Sequence, residues 1–106
     1  MQGVHDLKVW PSYFQDMWDG NKVSDVRKDD RGYFCGDRLV LREWNPGDGP
    51  AGFTGRHLEA IITHVQRMDV EPIISIMGRQ VPDVVVLSLR ITWREQRPQP
   101  QMGLGR

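Results

Sequence analysis

Apolar and polar residues alternate along this chain with a period that changes from segment to segment. His5 to Val9 (His-Asp-Leu-Lys-Val) alternates at every second position, which predicts a first strand. Trp10-Pro11-Ser12 breaks that period. Proline is tolerated in the first turn of a helix, where its missing N–H would be unpaired anyway. From Tyr13 to Asp19 the residues Tyr13, Phe14, Met17 and Trp18 fall at helical spacing. A short helix is expected there, with this aromatic stripe in the core and Gly20 ending it. Val23 to Arg27 reads as the second strand and Lys28 to Gly32 as a polar turn. Phe34-Cys35-Gly36-Asp37 leads into Arg38–Trp44, a third strand rich in β-favouring residues. Asn45 to Pro50 combines asparagine, proline, glycine and aspartate and predicts an exposed turn. The fourth strand, Leu58 to Val65, places Leu58, Ala60 and Ile62 on one face and Glu59, Ile61 and Thr63 on the other. Both faces are partly apolar, so this strand is expected to be central. Val84 to Ile91, with three consecutive valines, is the fifth. Between them, Gln66 to Val81 is a long connection in which Ile73 to Met77 fits a helical turn or a short strand.

This order predicts a small α+β domain over residues 1–93, with about five strands and one or two short helices. Short, twisted strands tend to curl into a partly closed barrel that hides their edges. Residues 94–106 carry prolines and glutamines with Met102 and Leu104 as apolar anchors, and a disordered tail is expected.

Composition narrows the function. Lysine plus arginine is 14 and aspartate plus glutamate is 14. Zero net charge argues against a general duplex binder but allows a pocket for one base or a short single strand. The single cysteine, Cys35, permits neither an internal disulfide nor a cysteine zinc cluster. It reads as a small buried residue, since no histidine is near in sequence to activate it. His57 and His64 fall on opposite faces of the fourth strand under strict alternation, so no shared metal is expected. With no apolar run of membrane-spanning length and no signal-peptide pattern, a cytoplasmic location and no membrane partner are expected.

The candidate chemistry gathers at Gly20-Asn21-Lys22-Val23-Ser24-Asp25-Val26-Arg27-Lys28. Between Gly20 and Trp44 there are six basic residues (Lys22, Arg27, Lys28, Arg31, Arg38, Arg42) and five acidic ones (Asp25, Asp29, Asp30, Asp37, Glu43). Such balance favours a selective pocket over a long phosphate track. Alternation puts Asp25 and Arg27 on one strand face and Ser24 on the other, while Lys22 sits in the turn before the strand. Asp25 and Arg27 read equally as a charge pair on a solvated strand.

The run from Gly20 to Arg27 resembles the glycine-x-lysine-x-x-glutamate-x-arginine signature of the ASCH domain, a branch of the PUA-like superfamily, with Asp25 where glutamate is usual. His5-Asp6-Leu7-Lys8, Pro11-Ser12-Tyr13-Phe14, Arg27 to Arg31, Gly36-Asp37, Leu41 to Trp44 and Phe53 to Arg56 extend the resemblance to the DUF3850 subfamily, common in phages and bacteria, over residues 5 to 91, with Gln66 to Val81 and the tail outside it. The resemblance implies a PUA-like β-barrel with a cleft beside the signature, in a bacterial or phage-infected cytoplasm. ASCH domains are proposed to bind RNA or other nucleic acids. Some relatives are enzymes: one branch deacetylates acetylcytidine with a motif lysine and a threonine, and another member is described as a ribonuclease.

In this sequence the lysine carries over to Lys22, and Asp25 stands where the threonine would be. A carboxylate cannot replace a hydroxyl as the acyl-accepting nucleophile without a change of mechanism. Lys22 and Asp25 remain the catalytic candidates for a metal-independent hydrolase of the amidohydrolase or ribonuclease type, working as an acid–base pair with water. The binding reading is preferred. It uses Arg27 as a planar fork for a phosphate or base edge, Lys22, Lys28 and Arg31 for further positive charge, Asp25 for an exocyclic amino group, and Tyr33, Trp44 or Trp18 as a stacking face. The expected ligand is RNA, a single-stranded nucleic acid or a modified nucleotide, with no cofactor and no metal. Thr54 and Arg56 are further candidates for the cleft border. A host protein as partner is the remaining alternative.

Overall fold

The structure, a computed structural model, describes residues 3–68 and 83–96. The strands β1 (Val4–Val9), β2 (Ser24–Lys28), β3 (Arg38–Trp44), β4 (Phe53–Met68) and β5 (Val84–Gln96) form one five-stranded sheet, with α1 (Pro11–Trp18) after β1 and a 3-10 turn (Gly49–Gly52) before β4. The strand order is β1-β3-β4-β5-β2, so β4 is the central strand, as its two partly apolar faces imply. β1 runs parallel to β3, and all other pairs are antiparallel. This is a mixed half-barrel of the small α+β class.

One face of the sheet makes the core. Leu7 and Val9 of β1, Leu39 and Leu41 of β3, Leu58, Ala60 and Ile62 of β4, and Val85, Leu87 and Leu89 of β5 are all buried in one cluster. Helix α1 adds Phe14 and Met17, both fully buried, with Trp18 packed against them. Burial of each large apolar side chain contributes about 1.5–3 kcal/mol. The helix begins at Pro11 and ends where Gly20 adopts a φ of 81°. Only about one face of so short a helix can reach the core. Phe14, Met17 and Trp18 take it at i, i+3 and i+4, and this corrects the expected stripe: Tyr13 lies off that face and is 52% exposed.

β4 and β5 are longer than their apolar patterns suggest. β4 includes Gln66–Met68, and β5 runs to Gln96, three residues into the segment expected as a tail. Polar residues continue these strands because each pairs with the other, from Arg56 opposite Gln96 to Met68 opposite Val84. The expectations for 69–81, including Ile73 to Met77, and for 97–106 lie outside the described residues.

Register shifts between Glu59 and Ala60 and between Ile62 and His64 interrupt strict alternation in β4. The second shift turns Val65 to the core side and leaves His64 exposed on the outer side. The opposite-face expectation for His57 and His64 is therefore wrong, since a bulge residue resets the period of two. They remain seven positions apart along the strand.

The two outer strands, β1 and β2, close partway onto each other. Arg27 Nη2 on β2 donates to the Lys8 carbonyl on β1 at 2.7 Å, and Arg31 Nη1 reaches the Asp6 carbonyl at 3.4 Å. Guanidinium groups thus satisfy carbonyls along the β1 edge where no strand pairs with it.

Candidate functional site

The open end of that β1–β2 seam is a cleft of about 440 Å³ lined by Lys8, Val9, Trp10, Tyr13, Lys22, Asp25, Val26 and Arg27. Three local features build it. Pro11 starts α1 directly after β1, which projects Trp10 and Tyr13 at the rim. Gly20 reverses the chain after the helix and brings Lys22 back to the same opening. Alternation in β2 then points Asp25 and Arg27 inward together.

Asp25 is 8% exposed, and its Oδ2 accepts from Arg27 Nε at 2.5 Å. Arg27 therefore spends two of its five N–H donors, one on Asp25 and one on Lys8 O. Among the described residues no ion pair joins Asp25 to Lys22, and neither Lys8 nor Lys22 has an ion-pair partner. Lys22 Nζ lies 5.9 Å from the Tyr13 ring centroid. Trp10 is 51% exposed, and its ring stacks on Tyr13 with centroids 6.3 Å apart at 23°. The exposed apolar patch of Trp10, Tyr13 and Val26 is thus interleaved with unpaired ammonium groups.

Lys22, Asp25 and Arg27 line one cleft; the other sequence-derived candidates do not. Tyr33 is 1% exposed and packs its ring 4.7 Å from His5, so it is no stacking platform. Burial pushes its hydroxyl pKa up, with Arg31 and Arg27 opposing the rise. Trp44 is half-buried, its Nε1 bonds to Gly49 O at 2.8 Å, and Lys8 Nζ stands 4.5 Å over its ring. Trp18 is held under the Arg56 guanidinium at 5.0 Å. Lys28 alternates to the outer face of β2, and Arg31 turns toward β1 and Asp30. Cys35 is exposed in the turn before β3, contrary to expectation, and its Sγ donates to Thr63 O at 3.2 Å. Trp10 and Tyr13 were missed as site residues because Trp10 reads only as part of the break after the first strand and Tyr13 as part of a core-facing aromatic stripe. The signal available was the length of the helix, which is too short to bury the whole stripe.

A second opening, of about 670 Å³, is lined by Asp6, Arg42, Glu43, Phe53, Gly55, Arg56 and His57. Arg56 belongs to this one and not to the first. Its Nε and Nη2 donate to both oxygens of buried Glu43 at 3.0 and 2.9 Å, and Nη2 also reaches Gln15 at 2.9 Å. Thr54 donates to Glu43 at 2.6 Å. Burial alone would raise the Glu43 pKa, but Arg56 and Thr54 hold it below the usual carboxylate value. Asp37 is a separate buried anchor. It accepts from the backbone N–H groups of Gly3 and Phe34 at 2.9 and 3.0 Å and lies 2.8 Å from His5 Nε2. Burial opposes ionisation there too, and these bonds overcome it and lower the pKa. Among the described residues no group of three or more His, Cys, Asp or Glu side chains could hold a metal ion.

The fold is shared with an ASCH domain. It resembles crystal structures of an ASCH protein from Zymomonas mobilis: the wild type aligns with a TM-score of 0.55 at 14% identity, over 88% of this chain and 68% of that one. A mutant of the same protein aligns with a TM-score of 0.56 at 15% identity, with the same coverage. In sequence, residues 4–77 match the model of a domain of unknown function, DUF3850. The chain is also 36% identical over 98 residues to an uncharacterized 12.9 kDa protein in the GpA 3′ region of Escherichia phage P2, covering 88% of this chain and 86% of that protein. The protein belongs to the DUF3850 family.

Proposed function

We propose that this chain is a nucleic-acid-binding module that holds single-stranded RNA, or one nucleotide of it, in the β1–β2 cleft. The observation that carries this reading is the meeting of Lys8 and Lys22, neither with an ion-pair partner among the described residues, with the exposed rings of Trp10 and Tyr13 at one opening. Phosphate needs the first pair and a base face needs the second. The 6.3 Å ring separation is that of rings in direct contact, so a base stacks on an outward face rather than between them. Arg27 and Asp25 form a paired, half-rigid floor that offers donors and an acceptor to a base edge. Carboxylates on the cleft wall are outnumbered, since Asp25 faces Lys8, Lys22 and Arg27.

Hydrolysis has weaker support. The Asp25 carboxylate is engaged by Arg27, which disfavours its acting as a base toward water. Incubation with acylated cytidines and short RNAs is expected to give no product, and product that disappears in Lys22→Ala would reverse this ranking.

The binding test is anisotropy with labelled short single-stranded RNA and DNA. Wild type is expected to bind, and Trp10→Ala to weaken binding by about 1–3 kcal/mol, the range for one stacked base. Absence of wild-type binding, or equal affinities in wild type, Trp10→Ala and Lys22→Ala, would contradict the proposal.

A further inference from the structure

We infer that the ligand is a strand of at least two nucleotides, with the β1–β2 cleft taking one and the opening over β3 and β4 taking the next. The inference rests on the binding function proposed above and extends it to a second subsite. The two openings share a wall. Lys8 lines the first, and its ammonium lies 4.5 Å from the Trp44 ring centroid and 5.8 Å from that of Phe53, which lines the second. Asp6, two residues before Lys8 and so on the same outward face of β1, also lines the second. Two residues of extended chain span about 6.6 Å, comparable to the step between neighbouring nucleotides in an extended strand.

The charges divide in the way a strand requires. Along the combined surface Arg27 pairs with Asp25, Arg42 with Asp6 and Arg56 with Glu43. Lys8 and Lys22 are left over among the described residues. Lys8 stands at the boundary between the openings, where the phosphate joining two nucleotides would pass. The second opening offers what a base requires: the Phe53 ring, with Arg42 and His57 as hydrogen-bonding edges. Arg42 Nε is bound to both Asp6 oxygens at 3.0 Å, which fixes the guanidinium plane at an exposed position. The Glu43 carboxylate, which would repel a phosphate, is screened by Arg56 and Thr54.

The experiment compares a nucleoside monophosphate, a dinucleotide and a tetranucleotide, in ribo and deoxy forms, on wild type, Arg42→Ala and Lys8→Ala, with thermal melting to verify each fold. Wild type is expected to bind the dinucleotide at least about fivefold tighter than the monophosphate, the lower limit for one further stacked base. Arg42→Ala is expected to shrink that gain, and Lys8→Ala to lower affinity for both ligands. Equal affinity for monophosphate and dinucleotide would overturn the second subsite and leave the first standing. So would a length gain that survives both substitutions. No binding at any length would overturn the second subsite together with the reading it rests on.

Discussion

At the scale of single residues, the site is defined by which charges are left over. Asp25 and Arg27 lie in the signature-like stretch, yet they neutralise each other, and Arg27 spends a further donor on Lys8 O. Lys22 and Lys8 have no such partner among the described residues. Removing Lys22 is therefore expected to lower affinity for a single strand and to flatten its salt dependence, by about 0.7 in the slope of log K against log salt for one lost phosphate contact. Arg27→Ala is expected to act differently, by loosening the β1 edge; amide exchange at β1 checks this, with protection falling in the variant. The buried carboxylates give a pH test. Asp37 and Glu43 have lowered pKa values in the folded chain. Their contribution to stability is then complete above about pH 4, the usual carboxylate range, and is lost as pH falls through the lower folded values. Thermal melts from pH 7 down to pH 2 should show that loss, and Asp37→Ala should flatten it. The same variant leaves the Gly3 and Phe34 N–H groups without their acceptor and is expected to cost about 3 kcal/mol at neutral pH.

At the scale of elements, the sequence shows the strands more clearly than the surfaces. β3 matches its predicted range from Arg38 to Trp44, because alternating apolar residues and a preceding turn both mark it. The five strands, the short helix and the central place of β4 were likewise legible. The ends of β4 and β5 were not, since their polar extensions are held by each other's backbone and carry no apolar period. Site chemistry was legible in part. Lys22, Asp25 and Arg27, drawn from the signature-like stretch, line one opening, but Tyr33 and Trp44, read as stacking faces, lie outside it, Tyr33 buried and Trp44 half-buried under Lys8. Exposure of Trp10 and Tyr13 follows from the eight residues of α1 and the proline at its start. The turn into β4 carries its own prediction. A Cβ on Gly52 would overlap the Asn45 carbonyl oxygen and stand 2.8 Å from Trp44 Nε1. Gly52→Ala is expected to destabilise the chain by about 1–3 kcal/mol, measured by chemical denaturation, because backbone must move to relieve the overlap.

At the scale of the whole molecule, zero net charge and a local excess of two unpaired ammonium groups belong together. A chain with no overall positive field is poorly suited to tracking duplex phosphates, and on the proposed reading the two ammonium groups without an ion-pair partner among the described residues would hold about two. The slope of log K against log salt is accordingly expected near −1.4 for a single strand, far shallower than for duplex binders with six or more contacts. The half-barrel explains why the site is there: the seam between β1 and β2 is where the curled sheet fails to close, and α1 and the Gly20 turn furnish its rim. Nuclear magnetic resonance on the uniformly labelled chain, titrated with a short single-stranded RNA, decides whether the β1–β2 cleft is where the strand binds. Shifts are expected to concentrate at Lys8, Trp10, Tyr13, Lys22 and Val26, including the Trp10 indole N–H, while Trp93, which stands opposite Glu59 on β4 and does not line the cleft, stays unmoved. Shifts that leave Trp10, Tyr13 and Lys22 unchanged, or none at all at saturating RNA, would contradict binding in that cleft.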